Sequence, residues 1–122
     1  MKLALKKATT SYRAYVFIQD SSVTTGAGLT GLVFNSASLV ASYVRPGAVR
    51  TAITLATQTV TGAYSSGGFV EVDATNMPGV YRFDLPDAAL ATGVDAVVIM
   101  LNGATNMAPL VMEVQLTDFD LN

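Results

Sequence analysis

Residues 67–87 constrain the fold more than any other stretch of the chain. They read Gly67-Gly68-Phe69-Val70-Glu71-Val72-Asp73, then Ala74-Thr75-Asn76-Met77-Pro78-Gly79, then Val80-Tyr81-Arg82-Phe83-Asp84-Leu85-Pro86-Asp87. Successive side chains on an extended strand point to opposite faces, so a period of two marks a strand with one buried side. Two such runs flank a proline–glycine turn, in which proline fixes φ and glycine tolerates φ > 0. The segment predicts two strands of a β-sandwich. It carries no catalytic group beside an obvious partner.

The rest of the chain has the same period. Tyr12, Ala14, Val16 and Ile18 share one face of a first strand, and Arg13, Tyr15, Phe17 and Gln19 share the other. Both faces are largely apolar, which predicts cover on both sides. Short strands are expected at 32–35 and 39–44, the second stopped by Arg45-Pro46-Gly47. One long strand or two short ones are expected over 48–60. Residues 86–92 predict a short helix, with Pro86 in the first turn, Asp87 near the positive end and Gly93 as the stop. Two last strands follow at 95–101 and 108–116, with Asn102-Gly103 as a hairpin signal. Seven or eight strands at this spacing describe an all-β chain, a single antiparallel sandwich of immunoglobulin-like or jelly-roll type. The expected division is an N-terminal arm at 1–10, a sandwich domain at 11–116 and a C-terminal tail at 117–122.

A chain of 122 residues is one domain by size and can bury a core without metal or disulfide staples. Only 13% of its residues are charged, about half of the usual share of roughly 25%. So thin a charged shell suits a protein packed against other subunits. Basic residues form no stripe, which argues against nucleic-acid binding. No run reaches the roughly 18 apolar residues that span a bilayer. Lysines break the apolar start of the chain, so no signal peptide is expected, and synthesis in a cytoplasm without export is the default.

Histidine and cysteine are both absent. The commonest general base, the commonest metal ligand and every thiolate site go with them. The lysines sit in the first seven residues, away from the Ser and Thr residues of the strands. The expectation is not an enzyme, with no cofactor. Glu71 and Asp73, two apart on a strand, project from one face, and Asp84 lies opposite if the strands pair. Three such carboxylates can hold Ca²⁺. No Asp-x-Asp-x-Asp-Gly loop accompanies them, and a solvated face paired with Arg82 explains them as well. The run Gly26-x-Gly28-x-x-Gly31 has dinucleotide spacing, but no βαβ unit surrounds it, and a sandwich loop is the expectation.

Three places suggest contact with a partner. Tyr64 lies in a small, polar loop and reads either as an exposed anchor or as a loop residue folded onto its own sandwich. Leu3, Leu5, Lys6 and Lys7 at one end, and Phe119 and Leu121 at the other, combine apolar and charged side chains. These ends are expected to dock on neighbouring subunits, by strand addition or in an apolar groove. Tyr81, just after the turn glycine, is a candidate tyrosine corner, its hydroxyl bonding backbone near the turn.

Three strings carry a family resemblance. Phe17-Ile18-Gln19-Asp20-Ser21-Ser22, Thr25-Gly26-Ala27-Gly28-Leu29-Thr30-Gly31-Leu32-Val33-Phe34, and Gly68-Phe69-Val70-Glu71-Val72-Asp73 through Met77-Pro78-Gly79-Val80-Tyr81-Arg82 resemble small virion proteins of tailed bacteriophages. Pro78-Gly79-Val80-Tyr81 is similar to a turn in immunoglobulin-like domains of phage baseplate and head-decoration proteins. The resemblance covers about residues 11–116 and brings no catalytic residues. It implies a virion structural protein, either head decoration or cement, or a tail, neck or baseplate adaptor. Its partners would be other capsid or tail subunits, with the chain a homo-oligomer or lattice-bound. The alternative is a carbohydrate- or host-surface-binding module, built on Tyr64 with Glu71, Asp73 and Asp84.

Overall fold

The computed structural model describes residues 1–120. Its strands are β1 (Lys2–Lys6), β2 (Arg13–Phe17), β3 (Val40–Val44), β4 (Thr51–Ile53), β5 (Phe69–Asp73), β6 (Met77–Asp84), β7 (Ala96–Asn102) and β8 (Leu110–Thr117). They form a five-stranded sheet in the order β1-β8-β7-β3-β4 and a three-stranded sheet in the order β2-β6-β5. In immunoglobulin lettering the smaller sheet is B-E-D and the larger is G-F-C-C′, with the first strand beside the last. The two sheets make an all-β, sandwich-like fold. The β1–β8 pair is parallel, with Leu3 opposite Val114 and Leu5 opposite Leu116, so the sandwich is not purely antiparallel.

The core follows from strand alternation. Ala14, Val16, Phe69, Tyr81 and Phe83 from the small sheet face Leu5, Ala41, Ile53, Val97, Ile99, Leu101, Met112, Val114 and Leu116 from the large one. The Val, Leu, Ile, Met and Phe side chains among them each contribute about 1.5–3 kcal/mol when fully buried. Phe69 stacks on Tyr81 at 5.0 Å between centroids and meets Phe83 edge-on at 6.4 Å.

Several expectations change. Residues 2–6 are no arm: they are β1, and Leu5 lies in the core. Residues 32–35 form no strand, and of 48–60 only β4 is a strand, with Ala56 adding an isolated parallel bridge to Gly68. The helix shrinks to a single 3-10 turn, Asp87–Leu90. β2 is covered on one side only, leaving Tyr15 and Phe17 exposed on the other.

Pro78 and Gly79 do not form the turn. The turn is at 74–76, and both residues lie within β6. Gly79 has φ +91°, and a Cβ there would lie 2.6 Å from the Gly28 Cα and 2.7 Å from the Phe17 ring. Glycine is required because two backbones and a ring converge, not because the chain reverses.

Candidate functional site

The two sheets treat their outer faces differently. On the small sheet, alternation sends Tyr81 and Phe83 inward and Arg82 and Asp84 outward, yet Arg82 is 1% and Asp84 0% exposed. Residues 54–67 cross this face as a strap. Arg82 Nε donates to Asp84 Oδ1 at 2.9 Å and Nη2 to Asp84 Oδ2 at 3.1 Å. Arg82 Nη1 donates to the carbonyls of Thr59, Val60 and Gly62 at 3.1, 3.1 and 2.8 Å. Asp84 Oδ2 also accepts from the Gln58 amide at 2.9 Å and the Ser65 N–H at 3.0 Å. A buried ion pair is sustained only when its other donors and acceptors are satisfied, and the strap satisfies them. Burial opposes ionisation of Asp84, but the Arg82 guanidinium and the Ser65 and Gln58 donors outweigh it and hold its pKa below the ordinary value.

The three carboxylates read together from the sequence serve three separate purposes. Asp84 clamps the strap. Glu71 points inward across from Tyr81 and accepts from the Gly31 N–H at 3.2–3.3 Å. The register shifts between Glu71 and Asp73, and the two bond different segments of the chain. Asp73 accepts from the N–H groups of Thr75 and Asn76, at 3.0 Å each, and stabilises the turn. These bonds lower its pKa, the Asn76 backbone bond most. Among the described residues no three His, Cys, Asp or Glu side chains are placed to hold a metal.

Tyr81 is not a tyrosine corner. Its hydroxyl donates to the Leu29 carbonyl at 2.7 Å and accepts from the Leu32 N–H at 3.2 Å, tying the glycine-rich loop to the middle of β6. Burial pushes its pKa up to about 12. Tyr64 is folded onto its own sandwich: its hydroxyl donates to the Leu85 carbonyl at 2.6 Å. Burial, then the nearby Asp87, raises its pKa.

The first and last described segments hold each other. Lys7 Nζ pairs with Asp95 at 3.0 Å and Asp118 at 3.2 Å, which raises its pKa, the Asp95 bond most. Leu3 packs on the core beside β8, and Lys6 faces solvent. Phe119 is 73% exposed, and Leu121 lies outside the described residues.

The large sheet carries the surface that sequence reasoning missed. Its outer side presents Val40, Val44, Val98 and Val111, all exposed, with Met100 and Ser42 between them. Arg50 lies on the same face, its Nε donating to Ser42 Oγ at 2.7 Å. The signal was available. Residues 96–101 are apolar at both parities, and a strand apolar on both faces is one that is covered on both faces. Here the second cover is missing.

Comparison with protein-family models, with curated proteins and with solved structures finds no match.

Proposed function

We propose that this chain is a structural component of a tailed-bacteriophage virion, acting through protein–protein contacts as a head decoration or cement protein, or as a tail, neck or baseplate adaptor. The observation that carries the contact role is the bare apolar face of the large sheet. Val44 lies directly opposite Val98, and Met100, opposite Val111 and Ser42, links them to the other exposed valines of neighbouring strands. The virion setting rests on the sequence resemblance. A lattice partner stabilises such a protein by mass action. Quantitative mass spectrometry of purified particles is the test. Hundreds of copies indicate the head, and about a dozen indicate the neck or baseplate, where ring symmetry is small. A particle lacking the chain rejects the proposal.

One observation favours the second reading, a host-surface glycan module. Tyr15 and Phe17 project side by side from β2, 52% and 47% exposed, roughly 7 Å apart at strand spacing. Phe17 rests against Gly79. Tyr64 and the three carboxylates contribute nothing to that platform. Glycan-array binding lost in Tyr15→Ala and Phe17→Ala would support this reading.

A further inference from the structure

We infer that the outer face of the large sheet is a two-fold interface with a second copy of this chain, the symmetry axis running along the strands between β7 and β3. This rests on the contact role just proposed and names the partner. The argument is one of register. Glu113 lies opposite Val98 and Val98 lies opposite Val44, while Arg50 directly precedes β4, one residue past the Tyr43–Thr51 pair, with its Nε on Ser42 Oγ of the same face. Glu113, Val98 and Val44 therefore form one cross-strand row, acidic on β8 and apolar on β7 and β3, which Lys2 of β1 extends beyond Glu113 and Arg50 extends beyond Val44. Rotation about an axis along the strands reverses such a row onto itself. Arg50 of each copy then sits over Glu113 of the other, twice, with no slip along the strands, and Val44 sits over Val98. An isologous contact needs this self-complementarity.

Arg50 is held differently from the two other arginines nearby. Arg82 and Arg45 spend their guanidinium donors inside the fold, Arg45 on the carbonyls of Ala89, Ala91 and Thr92. Arg50 makes one hydrogen bond, to Ser42, and no ion pair among the described residues. Among the described residues the ion pair of Glu113 is an exposed contact with Lys2 at 3.7 Å, of little worth in water. Desolvation between two sheets about 10 Å apart strengthens a new pair. Four strands cover about 20 Å by 17 Å, roughly 350 Å² of plane on each copy. Side-chain relief enlarges that figure towards the roughly 1,000 Å² total of the smallest specific interfaces. The dimer is therefore weak and concentration-dependent.

Sedimentation equilibrium from about 1 to 200 μM reads it, a range that brackets micromolar association. The wild-type chain is expected to dimerise reversibly across that range. Arg50→Glu and Glu113→Arg each weaken the dimer by about 10-fold or more, and the double variant restores it. Val98→Glu abolishes it, and Val98→Thr serves if the glutamate variant misfolds. A wild-type chain that stays monomeric overturns the inference, as does a dimer indifferent to Val98 or a double variant without rescue. Incorporation into particles is measured separately. A monomeric chain that still incorporates leaves the virion role standing and rejects only the second copy.

Discussion

The outer faces of the two sheets solve one problem in opposite ways. The small sheet turns Arg82 and Asp84 outward and covers them with its own residues 54–67, so that every polar atom of the pair has a partner within the chain. The large sheet turns valines outward and leaves them exposed. Polar groups buried under a loop need intramolecular partners at the moment of folding, because an unpaired buried charge is costly. Apolar groups left in water cost less and can wait for another molecule. The difference separates what holds this fold together from what it offers outward.

The largest effect should come from breaking the covered face. Asp84→Asn leaves the Arg82 guanidinium buried without its counter-charge, a loss of about 3–5 kcal/mol in equilibrium denaturation. Replacing both, Arg82→Met with Asp84→Leu, should recover most of that loss, since a buried ion pair exchanged for well-packed apolar groups is often neutral. The double variant should still release the strap, which loses its anchors at Thr59, Val60 and Gly62. Limited proteolysis within 59–66 would report it. A double variant both unstable and uncut would mean that the clamp holds the sheet and not the strap.

Gly79→Ala comes next. Its new methyl must push the Gly28 backbone, 2.6 Å from the ideal Cβ, as well as the Phe17 ring. A cost of about 1–3 kcal/mol in chemical denaturation is expected from the strained φ and the overlap. A neutral result would show that the glycine-rich loop can retreat, and that its tie to Tyr81 is slack.

How much of this was legible in the sequence follows from the range of each signal. Alternation is local, so the strands around Tyr12–Ile18, Phe69–Asp73 and Val80–Asp84 could be read directly. Pairing partners were not local. Leu3 and Leu5 looked like an arm because nothing near them in sequence announces β8, more than a hundred residues away. Gly79 looked like a turn residue because glycine after proline usually is one, whereas here its reason is Gly28, brought close by tertiary packing. Arg82 and Asp84 looked solvated because alternation alone cannot see a strap arriving from 54–67. Val40, Val44 and Val98 each looked like ordinary strand residues. Only the sheet order puts them on one surface.

Acid should reveal the clamp with a smaller amplitude. Asp84 has a folded-state pKa below its ordinary 3.8. Its contribution to stability is complete above that ordinary value and is lost as pH falls through the lower folded-state value. Asp20 and Asp73 are shifted the same way by their turn hydrogen bonds, Asp20 chiefly by the Ser22 hydroxyl, but both are exposed. The stability gap between wild type and Asp84→Asn should stay constant from neutral pH to about pH 4–5 and close below it. A gap that narrowed at higher pH would place the titrating group elsewhere.

The smallest effect on folding should be on the bare face, and it is the most discriminating. Val44→Thr and Val98→Thr remove a methyl that already touches water, so thermal unfolding of the dilute chain should move by no more than about 0.5 kcal/mol. On the inner face, Val97→Thr and Val114→Thr place a hydroxyl in the core, where each should cost about 1–3 kcal/mol. The four sites share one residue type and one pair of neighbouring strands, apart from Val44 on β3, so intrinsic strand propensity is nearly matched. A large loss at Val98 in dilute solution would mean that its side chain is already buried there, by self-association that persists at low concentration or by another part of this chain. Dilution separates these two causes, because only self-association weakens as the protein is diluted.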